Sequence, residues 1–138
     1  MKFFLDNCVS ITLVKGIRIF AEIQNYQLVH LTDLFPPDKP DTEWIREIAQ
    51  DKDWIIVSGD PRISRGAAER RAWHESGLTA FFLGEGWASQ TFWKQAECLV
   101  HWWPKIVLKA RDTQTQSGSG FLIPLRGKEF KLIYPPLN

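Results

Sequence analysis

Cysteine is scarce in this chain, with two in 138 residues, and neither Cys8 nor Cys98 has a neighbour at metal-ligand spacing. That speaks against a thiolate metal site or a disulfide and predicts two small, buried thiols in a reducing compartment. An excess of one charge is lacking too: 17 Lys and Arg against 16 Asp and Glu leave a net +1. No global basic field announces nucleic acid, so such binding has to rest on a local patch. No apolar run approaches the ~18 residues of a membrane span, and the few apolar residues before Asp6 are too short for a secretory h-region. These absences predict a cytoplasmic protein with no membrane partner. The chain has no Gly-x-Gly-x-x-Gly and no P-loop, which sets aside nucleotide folds of those kinds. Gly-x-Ser-x-Gly and Cys–His patterns are missing as well, and His30 and His101 offer no triad with a credible nucleophile.

What is present is ordinary in bulk: 44% apolar and 24% charged residues, fitting one globular domain with or without a short appendage. Seven tryptophans are less ordinary. Four fall within 87–103, which implies either a large core or an exposed aromatic interface.

Short β-rich runs at 2–5, 27–31, 54–58 and 78–83 read as strands, the second followed by a proline-rich loop over 32–40. Helical periodicity is seen over 9–23, 42–50, 62–76 and 89–103. Gly77 stands as a C-cap for the third of these, and Pro104 halts the fourth, with a continuation over 106–108 left open. Strand and helix thus alternate four times, which predicts a mostly parallel sheet with helices on both faces, an α/β fold. After Arg111 the character changes. A polar stretch over 113–120 leads to two strand-like runs, 121–125 and 130–134, that read as a small C-terminal β-hairpin. The expected organisation is a domain over 1–111 and a linker with its hairpin appendage over 112–138.

Three acids stand where strands end or helices begin. The run MKFFL stops at Asp6, WIIVS stops before Asp60, and Asp41 opens the helix after the second strand. In an open parallel sheet these positions share the carboxyl edge, where functional groups gather. Glu85, just after the fourth strand, belongs to the same edge. Converging carboxylates with little base nearby make a seat for Mg²⁺ or Mn²⁺, which can activate water and steady charge on a phosphodiester. Plainer roles exist. Asp41 and Asp60 occupy expected N-cap positions, and Glu85 between two glycines reads equally as a solvated loop residue. Asp6 lacks such an excuse. Arg62 and Arg65, in the first turn of the third helix, are placed to meet phosphate, whereas Arg70 and Arg71 read as a solvated face or as partners of Glu69 and Glu75.

The segments KFFLDNCVS, DTEWIREIAQDKDWIIVSGDPRI and AAERRAWHESGLTAFFL together resemble a PIN-like domain over about residues 2–108. Among these the chain is most similar to the small VapC-type toxins of bacterial toxin–antitoxin systems. The resemblance implies a three-layer α/β/α fold and a ribonuclease that uses Mg²⁺ or Mn²⁺. It places the family's first acid on Asp6, the second on Asp41 with Glu43 as competitor, and the third on Asp60. Ser58 supplies the hydroxyl of S-G-D, suited to positioning a water. The fourth acid of many such nucleases has no clear match, and Glu85 is the best-placed candidate. RNA as substrate, a cognate antitoxin and a homodimer are the partners implied. Two rivals stand beside this reading: a PIN-like RNA- or protein-binding module without chemistry, and a phospho-acceptor receiver domain. The receiver is disfavoured because Asp6 is followed by Asn7 and no Lys ends the fourth strand.

Overall fold

Short apolar runs, each bounded by a turn, become the strands of a single sheet. The computed structural model describes residues 1–59, 67–112 and 118–136. Its strands are β1 (Lys2–Leu5), β2 (Gln27–His30), β3 (Trp54–Ser58), β4 (Thr79–Leu83), β5 (Gly120–Ile123) and β6 (Lys131–Tyr134). They lie in the order β2-β1-β3-β4-β5-β6. The first five are parallel, and β6 runs antiparallel to β5. The described helices are α1 (Ile11–Ile23), α2 (Leu31–Leu34), α3 (Asp41–Ile48), α4 (Ala67–Ser76) and α5 (Phe92–Asp112).

Successive side chains of a strand point to opposite faces, so each central strand feeds two cores. Phe3, Leu5, Val57 and Phe81 pack with Leu13, Val14 and Ile17 of α1 and with Leu99, Trp102 and Ile106 of α5. Phe4, Ile56 and Phe82 pack on the other face, with Trp44 and Ile45 of α3 and Trp73 of α4. The result is the three-layer α/β/α arrangement expected, with a mostly parallel sheet.

Several boundaries differ from the sequence reading, each for a local reason. Helix α1 starts at Ile11, not at Val9, because the Ser10 side chain accepts from Thr12 N and caps it there. Leu31 leaves the second strand and, with residues to Leu34, forms a one-turn helix inside the expected loop, capped by the His30 ring. Pro104 does not halt the last helix. It lies inside α5, whose apolar stripe of Leu99, Trp102, Trp103, Ile106, Val107 and Ala110 runs across it. Proline removes one bond, to the carbonyl of Val100 four residues back, and Val100 is on the exposed side where water serves instead. Packing of the continuous stripe outweighs that loss.

Three of the four clustered tryptophans, Trp87, Trp102 and Trp103, are core residues, while Trp93 stands 78% exposed. The thiols depart from expectation: Cys8 is exposed and Cys98 partly buried. Arg71 pairs with Glu75 at 3.9 Å. Arg70 instead donates from Nη2 to the carbonyl of Ile133 at 2.9 Å, fastening α4 to β6.

The hairpin over β5 and β6 is hydrogen-bonded along β4, with Phe81 opposite Phe121 and Leu83 opposite Ile123. Gly120 is required where the two strands meet, since a Cβ there would lie 2.3 Å from Cε1 of the buried Tyr134 ring.

Candidate active site at the carboxyl edge of the sheet

Asp6 follows the last residue of β1 and keeps the strand's direction, its N–H donating to Val57 O at 3.2 Å. That extension brings its side chain beside Ser58, the last residue of β3. The Ser58 hydroxyl donates to Asp6 Oδ2 across the two strands. Oδ1 accepts from Gly59 N at 3.1 Å and from Cys8 N at 3.1 Å. The second of these bonds is an Asx turn, which reverses the chain after β1 and leaves Cys8 outside. His30, also buried, steadies the same turn: its Nε2 is 2.8 Å from Val9 O, while Nδ1 accepts from Thr32 N.

Asp6 is 3% exposed. Burial lifts its carboxyl from 3.8 to about 6, opposed by the bonds from Ser58, Gly59 and Cys8 and reinforced by the negative charge of Asp41. The three donors do not explain the charge. A carboxamide could accept both backbone bonds on its oxygen and donate to the Ser58 hydroxyl, without the desolvation penalty of an anion.

Asp41 is the first residue of α3, and Pro40 occupies the cap position, so the capping role open to Asp41 in the sequence is not the one it takes. Its Oδ1 accepts from Trp44 Nε1 at 2.9 Å, one helical turn along. Oδ2 accepts no hydrogen bond among the described residues. Trp44 is the residue the sequence reading missed in this role. Its position three after Asp41 on a helix is the available signal.

The structure thus brings Asp6, Asp41 and Ser58 together. Glu43 stands exposed on α3, and its charge is not among those acting on Asp6. Glu85, after β4, lines a groove with Arg126 and Lys131. Asp60, Arg62 and Arg65 lie outside the described residues. Among the described residues no three His, Cys, Asp or Glu side chains form a metal cluster. The donor set nevertheless suits a hard cation. Mg²⁺ takes one or two carboxylates with water and phosphate oxygens, and both Asp6 Oδ2 and Asp41 Oδ2 retain lone pairs.

Gly59 closes the cradle. A Cβ on it would lie 3.0 Å from both Cys8 O and Cys8 Cβ. Gly59→Ala is therefore expected to push β3 from the turn after β1 and cost about 1–3 kcal/mol. Gly16→Ala is the control. A Cβ at Gly16, inside α1, meets nothing within 4 Å, so that change is expected to stabilise by about 0.5–1 kcal/mol. Thermal melts of the two variants check the contrast, and equal shifts would mean that the contact with Cys8 is not tight.

No helix among the described residues is long and apolar enough to cross a membrane. No curated protein and no solved structure matches this chain significantly. A family model described as a PIN-like domain matches residues 1–85. That stretch takes in the strands ending at Leu5 and Ser58, the helix opening at Asp41 and the whole of β4, and the chain belongs to the PIN-like domain family.

Proposed function

We propose that this protein is a metal-dependent endoribonuclease of the VapC type, the toxin of a bacterial toxin–antitoxin pair. PIN-like domains are generally nucleases, typically with divalent cations, so the fold is a nuclease-type one. The observation that carries the finer reading is the buried Asp6 carboxyl beside Asp41, present at a position where burial disfavours its anion. A structural role alone gives no reason to retain that charge; cation binding does.

In this reading Asp6, Asp41 and Asp60 hold Mg²⁺ or Mn²⁺, with Glu43 the competitor for the place of Asp41 and Glu85 the candidate fourth acid. The ion supplies a lowered pKa for water and neutralises charge on the phosphodiester. Ser58 fixes the orientation of the Asp6 carboxylate by donating to Oδ2. Trp44 does the same for Asp41 by donating to Oδ1. Water is excluded from the inner side of Asp6 by the sheet itself, which strengthens every charge interaction at that point. Arg62 and Arg65 meet the substrate's phosphates. Silencing by a cognate antitoxin, a homodimer and a cytoplasmic location complete the proposal.

Cleavage of several structured and unstructured RNAs by purified protein, with Mg²⁺, Mn²⁺ or EDTA, tests it beside Asp60→Asn. We expect cleavage with either ion, none in EDTA, and loss in the variant. Metal-independent cleavage, or full activity of folded Asp60→Asn, would refute the proposed site. The rival is a PIN-like binding module, in which Glu85 serves the groove that it lines. RNA retention without any metal-dependent rate would favour that rival.

A further inference from the structure

The family match ends at residue 85, and the C-terminal strands lie beyond it. Strand β5 is parallel to β4 and antiparallel to β6, so the chain leaves β5 and enters β6 at the sheet edge that carries Asp6. Residues 124–131 hold Arg126, Lys128 and Lys131 against one acid, Glu129. With α4 and the end of β4 they enclose a groove of about 660 Å³. Its floor is aliphatic, built from the half-buried Leu122, Leu125 and Ile133, and the exposed Arg126 and Lys131 stand on its rim with Glu85. Both cations are exposed and form no ion pair among the described residues. The bond from Arg70 to Ile133 O holds the helix wall against the hairpin wall.

The groove continues the acidic edge. Ser58 pairs with Phe82, and Gly84 N donates to Ile123 O at 2.9 Å. Two to four strand spacings of ~4.8 Å place its lining about 10–20 Å from Asp6, a few nucleotides along an extended strand. Cations over an aliphatic floor complement a chain with anionic phosphates and apolar base faces. In a duplex those faces are stacked inside and cannot reach such a floor.

We propose that this groove binds the single-stranded flank of the RNA that is cut at the acidic edge, with Arg126 and Lys131 on its phosphates and Leu122, Leu125 and Ile133 under its bases. The inference deepens the nuclease reading and rests on it for the direction of the strand.

Fluorescence anisotropy with a short labelled single-stranded RNA, in EDTA and over about 50–200 mM salt, reads the groove without cleavage. For Arg126→Ala/Lys131→Ala we expect affinity to fall about tenfold. The slope of log K against log salt should lose about 1.4, as for two phosphate contacts on a single strand. Arg126→Glu should weaken binding further, and both positions are exposed, so the fold is kept. Unchanged affinity and slope in the double variant overturn the inference. So does poly-glutamate that competes with RNA on equal terms, which would assign the groove to an acidic protein segment. The two readings fail separately. RNA held through the groove but never cleaved with Mg²⁺ or Mn²⁺ refutes the nuclease alone, and cleavage with unchanged KM in the double variant refutes the groove alone.

Discussion

Asp6→Asn is expected to abolish cleavage and, in metal-free protein at pH 8, to raise the melting temperature. The activity loss should be at least about 10³-fold, equivalent to about 4 kcal/mol of barrier for a lost metal-binding carboxylate. The gain in stability follows from linkage. Asp6 titrates near 3.8 when unfolded and about 6 when folded, because burial disfavours its anion. Below pH 3.8 both states hold the proton and Asp6 is neutral to stability. Between pH 4 and 6 the folded state holds more protons than the unfolded one, so stability falls as pH rises. Above pH 6 the penalty is complete, on the order of 1–3 kcal/mol after the hydrogen bonds an Asn retains. Melts in EDTA at pH 4 and pH 8 should therefore show a gap between variant and wild type that opens with pH. Mg²⁺ should raise the wild type and leave the variant unmoved. A variant that melts lower by the same amount at both pH values would mean that the carboxylate is needed for structure.

The second large effect is expected at Trp44. This indole is fully buried, packs on Phe4 at 5.0 Å between ring centres and meets Trp73 edge-on at 5.4 Å. Trp44→Ala should cost about 3–5 kcal/mol, through lost burial and the cavity left behind. Trp44→Phe separates packing from position. It keeps most of the ring stack but removes the N–H that holds Asp41 Oδ1. We expect a folded protein whose half-maximal Mg²⁺ concentration rises about tenfold or more, the usual effect of removing a group that orients a ligand. The readout is activity against metal concentration. An unchanged midpoint in folded Trp44→Phe would make the indole a packing residue and nothing more.

The alternation of runs and periodic stretches made the layered sheet legible in the sequence, because β1, β3 and β4 are buried on both faces and read as continuous apolar segments. The place of Asp6 at the edge was legible for the same reason, since it interrupts such a run. Other features depend on contacts that no local pattern encodes. That Asp41 and not Glu43 acts on Asp6 arises from the approach of α3 to β1. Trp44 at three residues from Asp41 looks like any core position until its N–H finds a carboxylate. Pro104 reads as a stop until the apolar stripe of α5 is seen to continue on both sides of it. Cys8 looked like a core thiol, and the turn made by Asp6 puts it outside.

The placement of β5 has a consequence for solubility. Strand β4, Thr79-Ala-Phe-Phe-Leu, is buried along its whole length, and its outer hydrogen-bonding groups are taken by β5. A nascent chain that has not yet supplied β5 presents that strand as an open apolar edge, the kind of surface that recruits strands from other molecules. The finished sheet ends instead at β6, four residues long, with Lys131 exposed at its start and Pro135 and Pro136 just past its end. Short length, a lysine and prolines are the features that discourage edge-to-edge pairing. Strands β5 and β6, made after β4, thus convert the most adhesive edge of the sheet into a guarded one.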